Sequence, residues 1–401
     1  MLTLDWLADD LRRTVFSAHR QGPPRIGAEL ELIPVGAASR RIVPIAGEAG
    51  TLRVLYDLAR QHGWDVAGSA EAPMFRLPGG GTITYEPGGQ IEYSSPPFPS
   101  PSALIANLAS VVSTLRDPFA AAGVELLGVG IDPETPPAEA PLQLRTDRYL
   151  RMDDYFGRLG PAGARMMRQT AAFQVAVELG PDPMARWRLL NAIAPEVIAL
   201  FANSSRYAGQ ETGYASYRAA AWRSLDSSRT GVLNTAPPVA SYLEFALAAP
   251  DMMRRTDDGR YRSFCGWLMR GEATEAQWRT HLSTLFPEVR PRGYFEVRSA
   301  DAMAVEDVAA PIVLLWGLLS DPATERTALE VAGQPSAERL VRAGECGLGD
   351  GEVRRRAEEL VNLALRAAER MVPDQLRRQD LERAGEYFGR VIAGVGTGRY
   401  I

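Results

Sequence analysis

The stretch TITYEPGGQIEY, Thr82 to Tyr93, reads as two strand segments and an interruption. Thr82, Thr84 and Glu86 alternate with Ile83 and Tyr85, so one face is polar and the other apolar. Pro87, Gly88 and Gly89 then break the pattern, because proline donates no ladder hydrogen bond and glycine weakens a strand interior. Alternation resumes with Gln90 and Glu92 on one face and Ile91 and Tyr93 on the other. The stretch is hairpin-like. The Pro-Gly-Gly break suggests a close approach of backbone to something while Glu86 and Glu92 stay turned the same way.

The same pattern recurs elsewhere. In GAELEL, Glu29 and Glu31 stand at i and i+2, roughly 6.6 Å along a strand at about 3.3 Å per residue, with Ala28, Leu30 and Leu32 on the opposite face. AFQVAVEL sets Gln174 and Glu178 against Phe173, Val175 and Val177, and RGYFEVRSAD sets Glu296 and Arg298 against Phe295 and Val297. One wet face is ordinary for an antiparallel strand. Paired glutamates are not, because Glu is depleted in strands. Carboxylates gathered in one place repel unless cations sit between them, and hard oxygen ligands favour Mg²⁺ or Mn²⁺. Arginines flank these segments: Arg148 and Arg151, Arg229, Arg292 and Arg298. Planar guanidinium forks suit carboxylates and phosphates.

Composition excludes much. The 44 basic residues are all arginine. Without lysine there is no P-loop, no Schiff-base lysine and no kinase strand lysine. Phosphate would have to be met by arginine, backbone N–H groups and metal. Cys265 and Cys346 are the only cysteines, which excludes a disulfide framework and a cysteine zinc site. His19, His62 and His281 lie far apart and form no metal motif. A net charge of -5 gives no nucleic-acid footprint. No apolar run reaches the roughly 18 residues of a membrane span. The opening MLTLDWLADDLRR carries acids and no basic leader region, which argues against a signal peptide and for a cytoplasmic protein. The Gly394–Gly398 stretch GVGTG has no helix after it and makes no dinucleotide fingerprint.

Along the chain, periodicity predicts helices over 4–20, 51–61, 102–122, 161–169 and 183–203. It predicts strands over 25–35, 124–130, 172–179 and 292–301, and nearly continuous helix beyond 302. No linker divides the pattern, so residues 1–401 read as a single catalytic domain with a helical C-terminal part at about 302–392. The irregular order of elements indicates an α+β fold with a mostly antiparallel sheet.

IGAELEL, YEPGGQIEYSSPP, RYLRMDDYF, FQVAVEL, LFANSS, DSSRTG and LFPEVRPRGYFEVRSAD together resemble glutamate–cysteine ligase family 2, the plant-type and bacterial family that includes the ergothioneine-pathway ligase. The resemblance runs from about residue 25 to 320. It implies a glutamine-synthetase-like catalytic bowl and ATP-dependent formation of γ-glutamylcysteine through γ-glutamyl phosphate, the first step of glutathione or ergothioneine biosynthesis. By motif it makes Glu29, Glu31, Glu86, Glu92 and Glu296 metal ligands for Mg²⁺ or Mn²⁺. Gln90 and Gln174 would line the bowl, Arg229 would clamp the glutamate carboxylate, and Arg148 and Arg298 would contact phosphate or carboxylate. Arg298 and Glu86 carry the catalytic roles. The implied partners are the small molecules glutamate, cysteine and ATP. The alternatives are a ligase for another amine, a glycosidase built on paired carboxylates, and a non-catalytic metal-binding module.

Overall fold

The computed structural model describes residues 2–17, 23–231, 233 and 237–394. His19 and most of the Gly394–Gly398 stretch lie outside these residues.

Nine strands form one sheet. In chain order they are β1 Ile26–Gly36, β2 Asp65–Ser69, β3 Ala72–Arg76, β4 Thr82–Tyr85, β5 Ile91–Ser94, β6 Val124–Leu127, β7 Ala172–Val177, β8 Val289–Pro291 and β9 Phe295–Asp301. Their spatial order is β8-β9-β7-β1-β5-β4-β3-β2, with β6 added to the far half of β1. Every pairing is antiparallel. The fold is therefore α+β with an antiparallel sheet, as the strand pattern indicated.

Alternation along β1 decides which face is which. Ile26, Ala28, Leu30 and Leu32 are buried in the main core. That core includes Leu104, Leu108, Val112, Leu115 and Phe119 of the helix Pro101–Ala121. Ser100 caps this helix, its hydroxyl accepting from the Ala103 N–H, and Pro101 occupies the first turn, where a missing N–H costs nothing. Fully burying one such leucine or phenylalanine contributes about 1.5–3 kcal/mol. Behind the sheet the helix Ala309–Leu318 is buried all round and packs among the helices Gly351–Glu369 and Arg378–Ile392. The other face of β1 carries Glu29 and Glu31. Beyond Glu31 that face turns apolar, and Ile33 and Val35 pack with Leu127, Ala171 and Ala302 in a separate cluster that walls off one end.

Three boundaries differ from the periodic reading. The first helix stops at Thr14, because the next carbonyl, that of Val15, accepts the Gly293 N–H beside the sheet. The helix foreseen over 183–203 is two helices, Pro183–Ala192 and Ala194–Leu200. Pro195 cannot donate the hydrogen bond that would join them. The strand foreseen over 292–301 starts only at Phe295, because residues 292–294, with Gly293 at φ +77, make the turn of the β8–β9 hairpin.

Candidate active site

The sheet registers gather the glutamates. Glu31 lies opposite Glu92, and Glu92 lies opposite Thr84. Glu29 lies opposite Ser94 on one side and Gln174 on the other. Like charges placed directly opposite destabilise a bare sheet, so the arrangement is costly without a counter-ion. Glu92 accepts hydrogen bonds from the Ser94 hydroxyl at 3.0 Å and the Thr84 hydroxyl at 3.3 Å. Glu31 accepts from the Ala172 N–H at 2.8 Å and the Gln174 amide at 3.0 Å.

Electrostatics follow from this crowding. Burial, then Glu92 and Glu296, push the Glu29 carboxyl up to about 8. Burial and Glu31 push Glu92 up to about 7. Burial raises Glu31, with Arg218 the main opposing charge. Burial and the three other glutamates push Glu86 well above the usual range. All four carboxyls thus bind a proton more tightly than an ordinary glutamate, and a cation placed among them would oppose that shift.

The opposite end of the face is cationic. Glu296, buried, is met by Arg298 at 2.7 Å, Arg290 at 2.8 Å and Arg292 at 3.3 Å. Despite burial, Arg290 and Arg298 hold its carboxyl down at about 2. Three guanidiniums on a single carboxylate leave positive charge to spare. Arg298 owes its aim to a β-bulge in β9 between Val297 and Ala300. There its N–H bonds the Glu288 carbonyl, and its guanidinium reaches both Glu296 and the Gln174 side-chain oxygen.

Among the described residues, no three acidic, histidine or cysteine side chains converge on one point. The donor set is nevertheless all oxygen and strongly anionic. It fits a hard divalent cation whose shell is completed by water and substrate phosphate rather than by a closed protein cage.

Residues 25–396 match glutamate–cysteine ligase family 2. The chain belongs to that family. The match extends past residue 320, through the C-terminal helices to Arg378–Ile392. The glutamate–cysteine ligase EgtA of Mycolicibacterium smegmatis is 34% identical over 402 residues, covering 94% of this chain and 93% of its own. The chloroplastic glutamate–cysteine ligase A of Oryza sativa is 28% identical over 343 residues, covering 79% and 69%. Among solved structures, the glutamate–cysteine ligase of Francisella tularensis in complex with AMP superimposes with a TM-score of 0.52 at 13% identity, covering 94% of this chain and 84% of that one. That likeness shows the glutamine-synthetase-like fold.

The family residues fall into three groups. Glu29, Glu31, Glu86, Glu92, Gln174, Glu296 and Arg298 share the bowl, but Glu296 is saturated by arginines and has no call for a metal. Gln174 bridges Arg298 and Glu31, so it positions its neighbours. Arg148 flanks the bowl from the helix Asp147–Gly157, donating to the Ser283 hydroxyl and carbonyl within electrostatic reach of Arg290 and Glu86.

Gln90 and Arg229 point elsewhere. The Gln90 oxygen accepts from the Gly88 N–H at 3.0 Å and its amide donates to the Thr170 carbonyl at 2.7 Å. It ties down the turn that reverses the hairpin. A Cβ on Gly88 would come within 1.9 Å of the Arg168 carbonyl oxygen, and one on Gly89 within 2.5 Å of the Gln143 amide nitrogen. The glycines therefore admit the chain's own neighbours, not a ligand. Arg229 is fully buried, its guanidinium spread over Asp226 at 3.0 Å, the Thr284 carbonyl at 2.8 Å, the Pro250 carbonyl and the Tyr155 ring. No fork is left for a substrate carboxylate.

Two arginines of the site escaped the sequence reading. Arg290 sits in a three-residue strand ending in proline, too short to show a period. Arg218 sits in the seven-residue helix Tyr217–Arg223, where nothing local marks it. Arg218 is buried against Asp301 at 3.7 Å and donates to the Arg298 carbonyl at 2.9 Å.

Proposed function

We propose that this chain forms γ-glutamylcysteine from L-glutamate and L-cysteine at the expense of ATP, with residues 1–401 acting as one catalytic unit. The observation that carries the reading is the polarised face: four glutamates with raised carboxyls beside three arginines that share a single carboxylate. ATP and an amino-acid carboxylate supply the anions such a face lacks.

In this reading Glu31, Glu86 and Glu92 would hold a divalent cation, Mg²⁺ or Mn²⁺, which would supply charge neutralisation to the phosphates of ATP. Glu31 is kept in place by the Ala172 N–H and Gln174, and Glu92 by Thr84 and Ser94. A γ-carboxylate oxygen of glutamate attacks the terminal phosphorus, the bond to ADP breaks, and γ-glutamyl phosphate forms. The cysteine amine then attacks the acyl carbon, phosphate leaves with the C–O bond electrons, and the amine proton passes to solvent. Arg298, fixed by the bulge, by Glu296 and by Gln174, is aimed at the charge that develops on the phosphoryl oxygens. No protein nucleophile is needed, which suits a site without cysteine or histidine.

The family and its relatives support a place early in low-molecular-weight thiol synthesis, toward glutathione or ergothioneine. No helix among the described residues is long and apolar enough to cross a membrane. The test is ADP release by the full chain with ATP, Mg²⁺, L-glutamate and L-cysteine, with the dipeptide identified by mass. ADP without dipeptide, or neither product, overturns the reading.

A further inference from the structure

The three carboxylates assigned to the cation are not held alike. Glu31 is pinned by the Ala172 N–H and the Gln174 amide, and Glu92 by the Thr84 and Ser94 hydroxyls. The Glu86 carboxylate accepts no hydrogen bond among the described residues. Only its backbone is tied. Its N–H donates to the Gln90 carbonyl at 2.8 Å, and its carbonyl accepts from the Gly89 N–H at 2.9 Å. Glu86 therefore stands wherever the Pro87–Gly89 turn stands. Carboxylates that hold a metal are normally oriented by hydrogen bonds behind them. For Glu86 that support has to come through the turn.

Gln143 supplies it. This residue lies in the segment leading to the helix Asp147–Gly157, which carries Arg148. Its side-chain oxygen accepts from the Ile45 N–H at 2.6 Å. Its amide nitrogen donates to the Gly88 carbonyl at 2.7 Å and the Val43 carbonyl at 3.3 Å. Its own N–H donates to the Pro87 carbonyl at 2.8 Å, and the Leu144 N–H donates to the same oxygen at 3.2 Å. Gly89, at φ +95, lets the amide in, since a Cβ there would fall 2.5 Å from its nitrogen. A primary amide accepts at one end and donates twice at the other, whereas glutamate only accepts and arginine only donates. Gln143 thus joins the loop after β1, the turn that carries Glu86 and the approach to Arg148. We propose that Gln143 is the positioning residue of the cation site: it fixes where Glu86 stands and ties that place to the helix presenting Arg148. This rests on the cation assignment above. Removing the amide should act on the cation ahead of the fold.

The test is Mn²⁺ binding to the full chain with ADP present, followed by electron paramagnetic resonance, for Gln143→Met, Gln143→Asn and a Ser102→Ala control. Methionine keeps the length and loses every side-chain hydrogen bond. Asparagine keeps the amide but falls about 1.5 Å short, so it cannot serve Ile45 and Gly88 together. Ser102 bonds Asp380 and the Arg377 N–H on the helix side of the sheet, so its loss lowers Tm away from the site. Both Gln143 variants should bind Mn²⁺ about tenfold or more weakly, and Ser102→Ala should stay within about twofold of the unmutated chain. In a Glu86→Gln background, Gln143→Met should cost less than about twofold, because the group it positions is gone. Unchanged Mn²⁺ affinity in the folded Gln143 variants overturns the proposal. An equal loss with and without Glu86 overturns it as well, since the amide would then support the fold in general. Dipeptide formation is scored separately. Mn²⁺ binding that depends on Gln143 in a chain that makes no dipeptide supports the positioning role and removes the ligase reading. A chain that makes dipeptide but binds no Mn²⁺ overturns the positioning role and leaves the ligase reading standing.

Discussion

The raised carboxyls make stability depend on pH in a way the structure lets us work out. A carboxyl that holds its proton more tightly folded than unfolded stabilises the protein fully below its unfolded value near 4.5 and loses that contribution as pH rises through the folded value. Glu92 loses it up to about pH 7 and Glu29 up to about pH 8. Below pH 6.5 the buried His281, pushed down to about 3 by burial, opposes them, because it must charge on unfolding. From pH 6.5 to 8 the opposition of His281 fades, because it is half charged in the unfolded chain at pH 6.5 and almost uncharged by pH 8. Linkage over that window gives a loss of about 2 kcal/mol from Glu29 and Glu92 taken together. With roughly 2.1 cal/mol/K of unfolding entropy per residue over 401 residues, this lowers Tm by roughly 2–3 °C. Glu196, buried near Arg339 and pushed up to about 7, adds slope of the same sign from outside the site. The assay is therefore a comparison. Thermal melts in a chelator at pH 6.5, 7, 7.5 and 8 should fall for the unmutated chain and fall less for a Glu29→Gln, Glu92→Gln double variant. Added Mg²⁺ should raise Tm more at pH 8 than at pH 6.5, since the ion competes with protons. Equal slopes in the two proteins, or a Mg²⁺ effect independent of pH, would refute the reasoning.

Four further outcomes are expected. Glu31→Gln and Glu92→Gln should each abolish ligation while circular dichroism stays unchanged, since each removes a charge from the cation site; near-normal ADP release in either would sink that assignment. Glu296→Gln strips the shared counter-ion from three guanidiniums and should cost about 3–5 kcal/mol, seen as a lower denaturant midpoint; an unchanged midpoint would show that the arginines do not need it. Arg229→Lys keeps the charge but cannot reach Asp226, Thr284 and Pro250 together, so it should lose about 2–4 kcal/mol of stability with a near-normal glutamate KM; a raised KM at unchanged Tm would restore the clamp. Comparing kcat/KM for cysteine, 2-aminobutyrate, alanine and serine should favour cysteine moderately, because a methyl-sized difference is worth only about 1–3 kcal/mol in an apolar pocket; alanine equal to cysteine would point to another amine.

The anionic half of the site was legible because strand geometry forces it. A period of two puts Glu29 with Glu31, and Glu86 with Glu92, on common faces without any knowledge of partners. The hairpin around Pro87–Gly88–Gly89 then brings Glu92 beside Thr84, and β1 completes the row through Glu31. Long helices were equally plain, since the apolar stripe of Pro101–Ala121 repeats over 21 residues. What the glycines approach was not legible. Sequence shows that backbone comes close to something at Gly88 but not that the neighbour is the carbonyl of Arg168, eighty residues on.

The cationic half was hidden for a related reason. Arginine is long, and its function depends on what its guanidinium meets rather than on the face its Cα occupies. Arg229 and Arg298 look alike as residues flanking a motif. The first is spent on two backbone carbonyls and Asp226, while the second is turned by a bulge whose register shift no periodicity shows. Arg290 became visible only through the pairing that sets it opposite Glu296. Glu296 in turn was a fifth metal ligand by the family motif. Its three arginines give it the opposite electrostatic sign, a carboxyl held at about 2 where Glu29, in electrostatic reach on the same face, is pushed up to about 8. A carboxylate that is already ionised and paired gains little from a cation, whereas one that keeps its proton near neutral pH gains much. The division between ligand-holding and arginine-holding glutamates therefore follows from the charge each one faces, and that lies in the register of β8, β9 and β7 rather than in any single segment of sequence.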